Sequence, residues 1–239
     1  KWENVKKVTN IQEYIHTSPY KNIYISKIIP ISRSFYKMIE ILEDFDILKI
    51  FKFINITSFH LAEGPGGFIE ALSYIRSNSK DKYIGMTLIN NKNKNIPKWN
   101  KNNIFFKHNR NFFIEDGIDK TGNLYNSINF KYCYDKYKNK INLITADGGF
   151  DFSSNYKNQE ILATRLILTE IFYALIMQKK GGVFILKVFD TFTKTSCDIM
   201  YLLTCFYSNI FIFKPKTSRS ANSEKYIICK NYINNIDLF

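Results

Sequence analysis

All ten glycines of this chain fall between Gly64 and Gly182, and most come in tight groups: Gly64-Pro65-Gly66-Gly67, Gly148-Gly149 and Gly181-Gly182. Glycine is needed where a backbone takes positive φ or lets a ligand approach closely. A chain this sparing with it has a reason for each cluster. Two groups stand directly after short apolar runs, residues 56–61 and 142–146. The third stands directly before one, residues 183–189, broken only by Lys187.

Periodicity extends the pattern. Phe35, Met38, Ile39 and Leu42 recur at three- and four-residue steps. This predicts a helix capped at Ser32 or Ser34 that runs to about Asp44. Further helices are expected over 68–75, 159–179 and 196–207, the second of them ended by Gly181-Gly182. Strands are expected at 56–61, 82–89, 103–107, 142–146, 183–189, 209–213 and 225–229. Residues 90–103, rich in Lys and Asn, read as a solvated loop. Residues 1–32, interrupted by Pro19 and Pro30, read as an irregular arm with one short helix at most. Strands alternating with helices imply an α/β fold, a parallel sheet with helices on both faces. One domain is expected over 1–239, with an arm at 1–32 and a catalytic core at 33–232. Ligands of such sheets bind beyond the carboxyl ends of the strands. The glycine turn, Asp147 and Lys187 all fall there.

Composition narrows the function. At 45% hydrophobic residues in 239, the chain has the content of a globular protein. No apolar run approaches the ~20 residues of a membrane span, and residues 161–177 carry Arg165 and Glu170. A net charge of +13 favours a polyanionic partner, although a bias toward Lys, Asn and Ile produces the same surplus. Cys133, Cys197, Cys205 and Cys229 form no C-x-x-C pair, and the three histidines are scattered. That argues against a zinc site or a disulfide scaffold and points to an intracellular setting, with no metal expected. Lys1 in place of Met suggests an excised domain or a processed chain.

Four segments carry chemistry. Glu63-Gly64-Pro65-Gly66-Gly67-Phe68 places a glycine turn between a strand and a helix N-terminus, a cofactor cradle or a purely structural turn. It lacks the G-x-G-x-x-G spacing of dinucleotide binders. Asp147, followed by Gly148-Gly149, is a carboxylate at a strand end, able to reach into the cleft or to cap a loop. Lys187 interrupts an apolar strand and needs a partner, since burying an unpaired ammonium is costly. Asp147 on the neighbouring strand is the expected one. Residues 214–226 collect basic and hydroxyl side chains before a strand, suited to phosphate and sugar contacts or to a solvated hairpin.

Taken together, these segments resemble the FtsJ-like family of RNA ribose 2′-O-methyltransferases. Ser32-Arg33-Ser34-Phe35-Tyr36-Lys37-Met38-Ile39-Glu40-Ile41 is similar to the family's opening S-R-x-x-x-K-x-x-E-I helix, and Pro65-Gly66-Gly67-Phe68 to its P-G-G-[FW] loop. Lys37, Asp147, Lys187 and Glu224 fall where the family places its Lys-Asp-Lys-Glu tetrad. Gly85-Met86-Thr87-Leu88, Gly117-Ile118-Asp119 with Gly122-Asn123, and Asn222-Ser223-Glu224 with Tyr226 lean toward the cap-specific mRNA enzymes of eukaryotes and large DNA viruses. The resemblance implies a Rossmann-like S-adenosylmethionine-dependent fold: seven strands, mostly parallel, the last antiparallel. It implies a cofactor held by Glu63, Gly64, Pro65, Gly66, Gly67, Phe68, Thr87, Asn123 and Asp147. Three positions depart from the pattern. His60 replaces an acidic residue, no acid ends the second strand, and Asn123 replaces Asp, while keeping an acceptor oxygen.

The chemistry implied is displacement of a sulfonium methyl by a ribose hydroxyl. Lys187 is the expected base, its pKa lowered by burial and by Lys37. Asp147 positions Lys187, and Glu224 orients Lys37 or the sugar. Arg33, Lys216, Ser218, Arg219 and Ser220 are the RNA-contact candidates, with Trp2 or Tyr20 for stacking on a cap guanine. Capped mRNA is the expected partner, along with other capping or transcription proteins. The host cytoplasm for a viral chain, the nucleus or cytoplasm otherwise, is the expected location. Ribosomal or transfer RNA methylation and a silent RNA-binding subunit are the alternatives. A nicotinamide enzyme is disfavoured by the missing dinucleotide fingerprint.

Overall fold

The computed structural model describes residues 5, 9–15, 25–89, 98–99, 104–149 and 156–233. Seven strands form one sheet: β1 (Thr57–Leu61), β2 (Lys82–Met86), β3 (Phe112–Ile114), β4 (Ile141–Ala146), β5 (Gln178–Val188), β6 (Tyr207–Phe213) and β7 (Lys225–Tyr232). Their spatial order is β3-β2-β1-β4-β5-β7-β6. The pairings from β3 to β5 are parallel, and β7 runs antiparallel to both β5 and β6. This is the mostly parallel, Rossmann-like sheet with an antiparallel last strand that the sequence implied.

The helices are α1 (Ser34–Asp44), α2 (Ile47–Ile50), α3 (Gly67–Arg76), α4 (Ile104–His108), α5 (Ser127–Tyr137), α6 (Gln159–Met177) and α7 (Lys194–Phe206), with a 3₁₀ turn at Ile11–Ile15. Alternation along each central strand splits its side chains between two cores. Phe184, Leu186 and Val188 of β5 join the core under α5, α6 and α7, with Leu166, Ile171 and Leu203. Val183 and Ile185 face the other way, toward Phe35, Met38 and Leu42 of α1 and Phe68 and Leu72 of α3. Each such fully buried aliphatic side chain contributes about 2 kcal/mol.

Several expectations need correction. The strand expected over 103–107 is not found among the described residues: Ile104–His108 is helical, and the third strand is Phe112–Ile114. The aromatic run misled the reading. Phe105 packs on Phe106, and Phe106 packs on Phe112 and Trp99, so tertiary contacts decide the local structure. Helix α6 ends at Met177 rather than at the glycine pair. Gly181, at φ +79°, and Gly182 lie within β5, where the pairing with β4 is irregular. A Cβ on Gly182 would meet Gln178 Cγ and the Lys179 carbonyl oxygen at 2.7 Å and the Asn142 carbonyl oxygen at 2.9 Å, so crowding by its own bulged strand and by β4 explains the glycine. Neither serine caps α1: the N-cap is Arg33 with no side-chain cap bond, and the Ser32 and Ser34 hydroxyls bond each other. Helices α2 and α5 were not foreseen. α2 is a single turn, and α5 is too polar to show a clear apolar stripe.

Candidate active site

Strand register builds the site. Leu61 pairs with Ala146, Ala146 with Leu186, and Lys187 with Tyr226. One step beyond the paired residues, Ala62, Asp147, Lys187 and Tyr226 form a row across the carboxyl edge of β1, β4 and β5, with β7 alongside. Lys187 Nζ lies 3.2 Å from Asp147 Oδ1 and donates to the Asp147 carbonyl oxygen at 2.6 Å. The expected partner of the strand lysine is therefore the one it has. Tyr226 OH donates to the same Oδ1 at 2.9 Å. No expectation singled out Tyr226 for a role. Its position two residues after Glu224 was the available signal, since alternate strand residues share a face.

A second pair stands beside the first. Lys37 Nζ, buried on α1, lies 2.6 Å from Glu224 Oε1. Ser218 Oγ donates to that same oxygen at 2.8 Å. Lys37 also sits 6.0 Å from the centre of the Tyr226 ring. All four tetrad residues thus converge on one patch, supplied by α1, the ends of β4 and β5, and the loop entering β7.

The electrostatics correct one expectation. Burial lowers the pKa of Lys187, but Asp147 and Glu224 outweigh it and hold the ammonium above its ordinary value. The lowered value expected for this lysine is therefore not found: the carboxylates around it decide the direction. Burial alone would raise the Glu224 carboxyl, yet Lys37 and Lys187 hold it down at about 2.

The glycine turn sits next to this patch. Gly66 adopts φ +115°, closed to other residues, and α3 begins at Gly67. Glu63 is buried. Its Oε1 accepts the Phe68 N–H at 2.6 Å, while Oε2 has no partner. Burial and the neighbouring Asp147 raise its pKa well above the carboxylate range. Thr87 is buried at the end of β2, and its carbonyl oxygen approaches Gly122 too closely for any Cβ there. Asn123 uses its Oδ1 on the Tyr125 N–H, in a loop tied together by Asp119 and Asn129. His60 faces the interior of the sheet. It is fully buried between Ser58 and Thr145, with both ring nitrogens at 2.8 Å from their hydroxyls.

The RNA-contact candidates separate. Lys216 and Ser220 are exposed. Ser218 is buried and turned inward to Glu224, which corrects its reading as a surface contact. Arg33 and Arg219 both bind Glu13, a buried carboxylate of the 3₁₀ turn, and Arg33 also donates to the Thr217 carbonyl at 2.8 Å. Glu40 on α1 receives the backbone N–H groups of Lys216 and Thr217. The 214–224 loop is thus a packed part of the site. Trp2 and Tyr20 lie outside the described residues. Among the described residues, no group of three or more His, Cys, Asp and Glu is arranged to hold a metal.

The model of the FtsJ-like methyltransferase family matches residues 30–232. The chain belongs to this family. It is 33% identical over 189 residues to cap-specific mRNA (nucleoside-2′-O-)-methyltransferase 2 of Drosophila melanogaster, covering 74% of this chain and 27% of that protein. It is 36% identical over 180 residues to the human cap-specific mRNA (nucleoside-2′-O-)-methyltransferase 1, covering 73% and 21%. The chain therefore spans about a quarter of the length of these relatives. Among solved structures, a ribosomal RNA methyltransferase from Plasmodium falciparum superposes with a TM-score of 0.59 at 21% identity, covering 85% of this chain and 99% of that one. Human methyltransferase-like protein 13, in complex with SAH, superposes with a TM-score of 0.53 at 11% identity, covering 87% and 86%. Both structures share the fold.

Proposed function

We propose that this FtsJ-like domain transfers a methyl group from S-adenosylmethionine to a ribose 2′-hydroxyl near the 5′ end of capped mRNA. The observation that carries this reading is the pairing of Lys187 with Asp147 and of Lys37 with Glu224 side by side at the carboxyl edge of the sheet. The names of the 33–36% identical relatives support the capped substrate, and the net charge of +13 suits a polyanion.

The residues present fit the cofactor. Glu63 offers a buried oxygen without a partner, Asp147 a second carboxyl, and Gly66 a positive-φ turn against which Phe106 and Trp99 pack. Thr87 and the 117–123 loop bound the other end. When bound, S-adenosylmethionine supplies a methyl group on a positively charged sulfur. Lys187 orients the ribose hydroxyl as a hydrogen-bond donor in its resting, protonated state. A positive charge brought next to it favours the neutral amine, which then takes the hydroxyl proton. Asp147 and Tyr226 fix the position of Nζ. Lys37, held by Glu224 and Ser218, supports the ribose oxygen as it develops charge. Alignment of the two reactants by this rigid patch accounts for much of the expected rate.

The test is methyl transfer from radiolabelled S-adenosylmethionine to matched capped and uncapped RNAs, with Lys187→Ala as control. Label confined to capped RNA and lost in the variant is expected. Equal labelling of both RNAs would move the substrate to ribosomal or transfer RNA. Label that persists in Lys187→Ala would remove the catalytic assignment.

A further inference from the structure

Glu170 lies on α6, across the sheet from Lys37, and its carboxyl rises beneath the turn that follows Asp147. It is 1% exposed. A Cβ built on Gly148 would stand 2.2 Å from Glu170 Oε1 and 3.1 Å from the Ala62 Cβ. The carboxyl thus packs where the turns after β1 and β4 meet, beside the glycine cradle. Yet Oε1 has no hydrogen-bond partner. The rest of that buried helix face is Ala163, Leu166, Ile167, Ile171 and Ala174. A carboxyl among them costs stability rather than adding it.

The charged and titratable groups facing it are Lys187 from β5, Asp147 from the end of β4 and Tyr125 from the segment before α5. Burial is the largest influence and pushes its pKa up to about 8. Asp147 acts in the same direction, and Lys187 and the Gly148 N–H act against it. Glu170 is therefore mostly the neutral acid in the unliganded protein at neutral pH.

We propose that Glu170 is a specificity-determining residue of the cofactor pocket: its carboxyl ionises when a cation settles beside Asp147 and is reprotonated when that cation is replaced by a neutral ligand. The inference rests on the sulfonium cofactor assigned above. The proton leaves Glu170 for solvent as the cation binds, and a proton returns from solvent after the methyl group has gone. S-adenosylhomocysteine, a thioether, carries no charge on sulfur and leaves Glu170 protonated. The pocket thereby favours substrate over spent product, by a margin that grows as pH rises through about 8.

Calorimetric titration of the whole chain with each ligand, in buffers of different ionisation heat, tests this. Proton release with S-adenosylmethionine and none with S-adenosylhomocysteine is expected at neutral pH. Affinity for the cation should rise about tenfold between pH 7 and 9, with the thioether flat. Glu170→Gln should reduce both the release and the slope, the buried Glu63 carboxyl being still in place, its fold checked by thermal unfolding. Binding of S-adenosylmethionine by the wild-type chain without proton release overturns the inference and leaves the cofactor reading intact. So do a release and a pH slope left unchanged by Glu170→Gln. Failure of both ligands to bind overturns the cofactor reading and the inference with it. The wild-type measurement stands whether or not the variant folds.

Discussion

Lys37 Nζ and Glu224 Oε1 lie 2.6 Å apart, both largely shielded from water. That contact joins the first long helix to the loop entering the last strand. Glu224→Gln keeps an acceptor for Ser218 but removes the charge opposite Lys37. It should cost about 2 kcal/mol of stability, since the ammonium is left buried without its partner. It should slow methyl transfer about a hundredfold with little change in RNA affinity. Single-turnover kinetics and denaturant unfolding read the two effects separately.

The raised pKa of Lys187 gives the pH dependence of the reaction a sign. A base whose conjugate acid is stabilised by Asp147 and Glu224 is scarce at neutral pH. Single-turnover rates should therefore climb as pH rises from about 7 to 9. Lys187→Arg retains the charge but removes the base, and it should lose both the rate, by about a thousandfold, and the climb. A flat wild-type profile would transfer the proton to another acceptor.

His60 makes the fold sensitive to acid. Burial lowers its pKa from 6.5 to about 3, so the folded protein keeps it neutral while the unfolded chain protonates it. Its contribution is present in full above about pH 6.5 and is lost as pH falls toward 3. Stability measured in urea should drop across that window. His60→Gln should flatten the drop while lowering stability at pH 7.

Glu13 carries a related expectation in a lower window. Burial raises this carboxyl, but Arg219 and Arg33 overcome the effect and bring it to about 2, against 4.5 for the free group. The stability it supplies is present above about pH 4.5 and lost as pH falls toward 2. Glu13→Gln should cost about 2 kcal/mol and loosen the 214–224 loop. Faster hydrogen exchange at Thr217 and Ser218 is the expected signature, and unchanged exchange would detach the 3₁₀ turn from the site.

Much of the site was legible because its residue types are costly where they stand. A lysine in an apolar strand, an aspartate before two glycines and a glycine turn after a strand each signal a purpose by violating local economy. The pairing of Lys187 with Asp147 followed from that logic. Strand β3 and the end of α6 were not legible, because Phe106 packs on Phe112 and Trp99, and because the Gly181-Gly182 pair sits in a bulge of β5 that periodicity does not register. Arg33 and Ser218 look like surface contacts in the sequence. Only the folded chain brings Glu13 and Glu224 against them. Glu170 was noted only as a charge that interrupts an apolar run. Helical spacing gives the face it occupies, not the backbone turn it meets.

The insertion of β7 between β5 and β6 has a consequence for biosynthesis. During synthesis on the ribosome, residues 1–213 emerge with six strands, Lys37, Asp147 and Lys187 already in hand, and a gap where β7 belongs. Until residues 224–232 leave the exit tunnel, β5 presents an open hydrogen-bonding edge. Over the same interval the nascent chain lacks Glu224 and the Tyr226 hydroxyl that braces Asp147. Arrival of this one strand closes the sheet and completes the proposed catalytic group together, so a chain stalled before it is expected to be both inert and aggregation-prone.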